Sequence, residues 1–457
     1  MQLTLKQAAE MMGAPISDGS DVAIEDVSID TRTMRPGSLF FALGGDQFDG
    51  HAFVEKAFRQ GACGAVVRSK WNESTDSKAN RVLLRTNDPL LALHNLASAY
   101  RSMFDIPVIG VTGSNGKTTT KEMIAAVLAE KHSVMKSSGN LNNHIGLPLS
   151  LCKLNQDATV AILEMGINHF DEMKQLCEIA RPTHGVITNI GKSHLEFLGD
   201  LDGVARAKGE MLDYLSDNGT AFLNGDDPHL ARMKGIASRT ITFGFSDGCH
   251  VTGRDRGVDV NGCPQLELDG CVVTLAVPGR HNLYNALAAV AVARAFDVPE
   301  QSIFHALTYC SPLSQRMERL EVSGVYILND AYNANPSSVR AALLALQEIS
   351  EAGRRIVVLG DMLELGESAR VEHSRVGELI AEVGVCAFFC FGPEMQFAAQ
   401  RARDLGVREA IHFESKQDLV EALRHVVHKG DVVLVKGSRG MRMEEVVEGL
   451  RNALQQA

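Results

Sequence analysis

The stretch Gly110-Val-Thr-Gly-Ser-Asn-Gly-Lys-Thr-Thr119 most constrains how this chain can fold. It follows the apolar run Pro107–Ile109, which reads as a short buried strand. It precedes Lys121–Lys131, where Met123, Ile124, Val127 and Leu128 mark one face of a helix. Strand, glycine turn and helix in that order are the setting of a phosphate-binding loop. Gly113 and Gly116 let the backbone approach a polyphosphate, and the first N–H groups of the helix are unpaired and point at it. Lys117 adds a positive charge, worth roughly 1 kcal/mol at about 4 Å in water and about 4 at an intermediate dielectric. The Thr118 hydroxyl suits the magnesium ion that accompanies ATP. A longer Gly-x-x-x-x-Gly-Lys loop would need glycine at 111, where this chain has Val111.

At 457 residues the chain has room for about three domains. With 22% charged and 45% hydrophobic residues it has an ordinary globular composition. A net charge of −11 argues against nucleic acid as a partner. The nine cysteines are scattered and form no Cys-x-x-Cys pair, so a reducing, cytoplasmic compartment is expected. The start lacks a signal-peptide core, and the most apolar helix, Leu283–Phe296, is too short to span a bilayer.

The expected fold is α/β in three domains. Residues 1–85 form a small α/β domain, 86–312 a central P-loop domain with a parallel sheet, and 313–457 a Rossmann-like domain of alternating strands and helices. In the first, notable residues gather at strand ends: Ser28-Ile-Asp-Thr-Arg32, then Gly44 to His51. Loops at strand ends bind ligands in open α/β sheets, although spacing alone equally allows solvated turns. The central domain carries the dense polar loop Ser137–Pro148. The run Thr159–Leu163 reads as a strand with Glu164 at its end, placed to bind magnesium directly or through water. A second such strand, Gly185–Ile190, leads to Gly191-Lys-Ser-His194. Lys208 lies on a helical stretch, and surface charge is its default role. Asn282, at a helix start, serves either as an N-cap or as a donor and acceptor for an adenine edge. In the last domain, strands end in Asn329–Pro336, Gly360–Gly366 and Lys436–Gly440, with no Gly-x-Gly-x-x-Gly.

Taken in order, Thr112–Thr119, Glu164-Met-Gly, Asn189–His194, His281–Asn285 and Asp330–Pro336 resemble the Mur ligases. The resemblance covers essentially the whole chain, and that family's loop has the shorter Gly-x-x-Gly-Lys form. Within it, Asp330–Pro336, Leu359–Gly366 and Val435–Gly440 are similar to the branch that adds D-alanyl-D-alanine. The Asp-Asn-Pro-Arg motif of the diamino-acid-adding branch is absent.

The resemblance implies an ATP-dependent ligase of peptidoglycan synthesis. ATP would phosphorylate the C-terminal carboxylate of a UDP-N-acetylmuramoyl tripeptide, and the D-Ala-D-Ala amine would displace phosphate. It implies a catalytic set of Lys117, Glu164, His194, Lys208 and Arg316, with two Mg2+ ions served by Thr118, Glu164, His194 and a carbamylated Lys208. ATP would lie against Thr112, Gly113, Ser114, Asn115, Gly116, Lys117, Thr118, Thr119, Asn282 and Asp330. The precursor would lie against Ser28, Asp30, Thr31, Arg32, Gly45, Asp49, His51, Asn140 and Asn142. The acceptor side would comprise Tyr332, Asn333, Asn335, Lys436, Ser438 and Arg439. The enzyme would be a cytoplasmic monomer with no nucleic-acid or integral membrane association. The competing classes are a P-loop kinase or NTPase for a small molecule, another amino-acid-adding ligase, and a silent nucleotide-sugar sensor. A kinase has no need of the last domain, and a sensor need not keep all five catalytic side chains.

Overall fold

The computed structural model describes residues 1–15, 21–45, 48–71, 81–215, 218–349 and 353–456. Part of the expected Gly45–His51 loop and most of the polar Ser69–Asn80 stretch lie outside the described residues.

Three parallel or mostly parallel sheets carry the architecture. The first has four parallel strands in chain order: Asp26–Ser28, Ser38–Phe41, Gly64–Arg68 and Leu83–Thr86. The second has seven strands, all parallel. Their spatial order is Val251–Thr252, Arg239–Gly244, Thr220–Asn224, His184–Ile187, Val108–Thr112, Val160–Glu164 and Val134–Lys136. The third has six, ordered Glu318–Val322, Val325–Asp330, Val432–Lys436, Arg355–Gly360, Ala387–Phe391 and Ala410–Phe413. Only its first pair is antiparallel. A small antiparallel sheet between Arg254 and Thr274 accounts for the short alternations of that region.

The inner strands read as unbroken apolar runs because helices cover both sheet faces. Every residue of Val108–Thr112, Val160–Glu164 and Val432–Lys436 is buried. The helix Pro89–Arg101, capped by Asp88, is more than a link between sheets. Its Leu93, Leu96 and Tyr100 share one core with Leu39, Phe41 and Val66 of the first sheet, Leu163 of the second, and Leu147 and Met173 on the helices Gly146–Leu151 and Glu172–Ala180 that cover it. The first two sheets are therefore joined through apolar packing.

Several elements differ in detail from the sequence reading. The alternation of Val22–Ile29 reads in the sequence as one strand, but it is divided between two sheets. Ala23–Ile24 pairs with Leu3–Thr4, while Asp26–Ser28 joins the first sheet. The P-loop helix starts at Lys117, four residues before the stretch Lys121–Lys131 read from the sequence as helical. Asn282 is not an N-cap: the helix His281–Ala295 is entered from Arg280 without a side-chain cap. Among the described residues no helix is long and apolar enough to cross a membrane. All nine cysteines are free.

Candidate functional site

Strand register brings three chemistry-bearing loops together. Val111 pairs with Glu164 on one side, and Thr112 with Ile187 on the other. The P-loop, Glu164 and Thr188–His194 therefore leave the same edge of the second sheet, beyond its carboxyl ends.

The P-loop is pinned from the side. Ser114 Oγ donates to Gly191 O at 2.9 Å and accepts from Gly191 N–H at 2.8 Å. Thr188 Oγ1 and Asn189 Nδ2 both donate to Asn115 O, at 2.6 and 3.0 Å. Gly113 has φ 146°, and a Cβ there would lie 1.9 Å from Thr188 Oγ1. Gly116 has φ 78°, and its Cβ would lie 2.3 Å from Asn285 Oδ1. Both glycines are thus required by close approach as well as by backbone angle.

Within this frame Lys117 Nζ donates to Gly113 O at 2.8 Å. Burial pulls its pKa below the usual lysine value, and Glu164 partly offsets that. Thr118 Oγ1 donates to Glu164 Oε2 at 2.7 Å, and Asn142 Nδ2 donates to Oε1 at 2.8 Å. Glu164 is only 2% exposed. A hydroxyl and a carboxylate oxygen this close are hard donors of the kind Mg2+ takes. No group of three or more His, Cys, Asp or Glu residues forms a ready cage among the described residues. That suits Mg2+, which keeps waters and borrows phosphate oxygens.

The third sheet closes the other side. Asp330 and Lys436 are direct register partners, and Lys436 Nζ donates to Asp330 Oδ2 at 2.6 Å and to Asn333 O at 2.8 Å. The Arg316 guanidinium stacks on Tyr332, 4.0 Å from the ring centre. Asn335 Nδ2 donates to Asn115 Oδ1 at 2.8 Å, directly across from one sheet to the other. Between these walls lies a cavity of about 560 Å³.

Of the sequence-predicted residues, Ser114, Asn115, Gly116, Lys117, Thr118, Thr119, Asn142, Glu164, His194 and Asn282 line the cavity from the second sheet's side. Arg316, Asp330, Tyr332, Asn333, Asn335 and Lys436 line it from the third. Thr112 and Gly113 lie beneath the loop, both buried. Lys208 is 1% exposed on the helix Leu201–Gly209, and its side-chain nitrogen has no hydrogen bond or ion pair among the described residues. Burial, then repulsion from Lys117, holds its pKa well below the usual value. Its surface-charge alternative is thereby excluded. Asn282 donates to Pro278 O and accepts from Asn285 Nδ2, both at 2.8 Å. One N–H and one lone pair of its amide remain.

Other predicted residues stand elsewhere. Asn140 is exposed and does not line the cavity. Ser438 is buried, holding Ala334 O and Leu363 N–H. Arg439 reaches Gln315 and Glu444. No residue before Ser114 lines the cavity. In the first sheet, Ser28 Oγ and Asp30 shape one turn, and Asp30 takes the Arg32 guanidinium at 2.6 Å. Thr31 is buried beside it. His51 Nε2 accepts from Arg68 N–H at 2.9 Å, so its Nδ1 carries the proton given to Asp49, 2.6 Å away. The described end of the adjoining loop is held by Gly45 N–H on Phe48 O.

The sequence reading missed Asn285 and His281 as cavity residues. The spacing of Asn282 and Asn285, three apart on one helix face, was the available signal. His281 opens to the cavity, where desolvation between the two walls pushes its pKa down to about 4, opposed by Asp330 and assisted by Lys436.

Fold and site define a multidomain P-loop protein whose nucleotide pocket is completed by a second α/β sheet. Residues 111–293 match the Mur ligase middle domain, 315–439 the Mur ligase glutamate ligase domain, and 23–101 the Mur ligase family catalytic domain. A UDP-N-acetylmuramoyl-tripeptide–D-alanyl-D-alanine ligase of Bacillus subtilis is 36% identical over 454 residues, 98% of each chain. Its counterpart in Escherichia coli is 33% identical over 464 residues, 99% of each. Among solved structures, MurF from Acinetobacter baumannii superposes with TM-score 0.87 at 29% identity, covering 99% of both chains. MurF from Thermotoga maritima in complex with ADP gives 0.82 at 29% identity, covering 96% of this chain and 100% of that one. The chain belongs to the Mur ligase family.

Proposed function

We propose that this protein joins D-alanyl-D-alanine to the C-terminal carboxylate of UDP-N-acetylmuramoyl tripeptide at the expense of ATP, giving the pentapeptide precursor of peptidoglycan. The observation that carries the reading is the single cavity holding Lys117, Thr118 and Glu164 on one wall and Arg316, Asp330 and Lys436 on the other. The full-length relatives named above act on these substrates.

The chemistry brings a carboxylate and a triphosphate together, so its main obstacle is repulsion between anions. A carboxylate oxygen takes the γ-phosphoryl group as the bond to the ADP oxygen breaks. The acceptor amine then forms the C–N bond, loses a proton, and phosphate leaves. Lys117 and Arg316 supply charge to the oxygens that gain it. The glycines at 113 and 116 let backbone N–H groups reach the phosphates, and Asn282 offers its remaining donor and acceptor to adenine. Asp330 takes the ribose side, and Tyr332, Asn333, Asn335 and Lys436 face the acceptor. Ser438 and Arg439 support that wall from behind.

Thr118 and Glu164 would hold one Mg2+. His194 would serve a second together with Lys208, provided Lys208 is carbamylated. When bound, the ions screen the phosphate charge. A neutral, buried amine is the form that reacts with CO2: an N–C bond forms, a proton leaves, and a cation-forming side chain becomes an anion suited to a metal.

Residues 1–85 would bind the UDP end of the precursor through Ser28, Asp30, Thr31, Arg32, Gly45, Asp49 and His51, while 86–312 and 313–457 would complete the ATP and acceptor sites. Asn140 and Asn142 would guide the peptide between them. One chain supplies every wall of the cavity, which supports action as a monomer. The unpaired cysteines support a cytoplasmic location.

The deciding experiment is phosphate release with ATP, magnesium and the tripeptide precursor across a panel of amines. Release that requires D-Ala-D-Ala, with pentapeptide found by mass spectrometry, is expected. Release without any amine and without an amide product would overturn the ligase reading in favour of a kinase or NTPase. Activity with a free amino acid and a shorter precursor would point to another member of the family.

A further inference from the structure

The cavity's two walls are joined at one corner by an unusual pair. His194 Nδ1 lies 2.5 Å from Glu364 Oε2, linking positions 170 residues apart. His194 follows the second sheet's Gly191-Lys-Ser run, whereas Glu364 stands in the Gly360–Gly366 loop of the third sheet. Both are non-glycine residues in left-handed backbone conformation, with φ 54° and 61°. Glutamate, unlike Gly, Asn, Asp and His, seldom adopts it, and at Glu364 such a conformation persists only where surroundings impose it.

The surroundings do so from both sides. Glu196 N–H donates to Glu364 O at 3.3 Å. A Cβ on Gly366 would lie 3.3 Å from Glu196 Cα, so the loop lies flat on the short helix Leu195–Leu198. Close by, Lys192 Nζ donates to the buried Glu372 at 2.6 Å. His194 begins its helix without using its side chain as a cap. The imidazole is thereby free to turn to Glu364.

The pair settles a proton. An ionised carboxylate only accepts, so Nδ1 must carry the hydrogen, and the ring's remaining nitrogen, Nε2, holds the lone pair when the ring is neutral. Nε2 has no partner among the described residues, and His194 lines the cavity. A carboxylate that orients an imidazole in this manner strengthens the other nitrogen as a metal ligand.

We propose that Glu364 is a positioning residue: by accepting from His194 Nδ1–H it presents Nε2 as the ligand for the second metal ion, and it does so only when the third sheet is docked. Metal occupancy at His194 and closure of the cavity are then one event. The second ion, unlike the one at Thr118 and Glu164, becomes sensitive to the position of the last domain. This rests on the reading of His194 as a metal ligand given above.

The test uses the full chain with Mn2+ as a paramagnetic probe and a non-hydrolysable ATP analogue, comparing wild type with H194A, E364A and E364Q. Wild type should bind two ions and H194A one. E364A should keep the first ion at wild-type affinity and bind the second about 10- to 100-fold more weakly. E364Q, which keeps a carbonyl acceptor without the charge, should fall between. In parallel, 15N spectra of the His194 ring should report the Nδ1–H form in wild type and in E364Q, and loss of that preference in E364A. A purely structural contact would not move that tautomer signal. If H194A loses the second ion while E364A binds it as wild type does, the positioning role of Glu364 is overturned and His194 remains a ligand. If H194A binds both ions normally, His194 is no ligand and the proposal falls with that reading.

Discussion

The half-buried Lys117 and the buried Lys208 carry charges that interact, and their surroundings treat them differently. Lys117 has a carbonyl partner and the Glu164 charge beside it. Lys208 has neither, and both burial and Lys117 push it toward the neutral amine. Carbamylation would remove the lysine–lysine repulsion as well as create a ligand. Protein equilibrated with 13C-bicarbonate should therefore show one carbamate resonance that is missing from K208R, and K208R should lose on the order of 10²-fold in kcat. Wild-type protein without that resonance would exclude the carbamate. Elsewhere in the second sheet His184 makes a stability prediction. It lies against Phe222 and Phe296, and burial holds its pKa near 4, down from 6.5. In the unfolded chain it protonates around pH 6.5, so the unfolded state binds more protons between pH 6.5 and 4. Stability from this group is complete above that window, falls as pH drops through it, and is constant below. A shift of this size corresponds to about 3 kcal/mol at most. H184F should flatten the urea-midpoint profile across that window; an unchanged profile would show that His184 does not carry it.

At the scale of elements, Asn335 joins two tasks that are usually separate. It caps the helix Pro336–Glu348 in a reciprocal box with Ser338, and its amide nitrogen reaches Asn115 in the P-loop. N335A should cost about 1 kcal/mol of stability from the cap and also raise KM for ATP. N335D keeps the cap but places a carboxylate against Asn115 Oδ1 and near the phosphates. It should preserve stability while raising KM for ATP further than N335A. Equal effects of the two on KM would remove the electrostatic part of this account. The helix itself was legible in sequence, because Asn-Pro before an apolar stripe is a start signal. The inner strands were legible for a related reason: burial on both faces makes them continuous apolar runs, ended by polar residues where the sheet edge meets the cavity. The run Val22–Ile29 was misread because alternation cannot show that Glu25 interrupts pairing and sends its flanks to two different sheets. Asn282 was ambiguous because its role depends on Pro278 and Asn285, which only the folded turn brings to it. The contact of His194 with Glu364 had no local signal at all, since neither residue's neighbours in sequence specify a partner 170 positions away.

At the scale of the whole molecule, the question is what holds the third sheet against the second. Among the described residues the polar contacts between the two include Asn335 with Asn115, His194 and the Glu196 N–H with Glu364, Lys192 with Glu372, Arg280 with Glu348 and Arg319 with Asn261. Two of these, Lys192–Glu372 and Arg280–Glu348, are ion pairs with one partner more than a third exposed, for which about 0–1 kcal/mol each is typical, less at high salt. Their sum is too small to lock a domain against the freedom it would gain by opening. A nucleotide held by Lys117 and Thr118 on one wall and by Asp330 on the other binds fully only to the closed arrangement. It therefore shifts the population by its whole differential affinity, and every tenfold preference contributes about 1.4 kcal/mol. The last domain should accordingly rotate onto the central one as ATP and precursor bind. Small-angle scattering should show the radius of gyration falling when an ATP analogue and the tripeptide precursor are added together, with a smaller change for D330A. Without ligands, raising the salt concentration should expand the protein, because it weakens the ion pairs that bridge the gap. A radius that ignores both ligand and salt would mean that the two sheets form one rigid body, and the strain at His194 and Glu364 would then be permanent rather than made on closure.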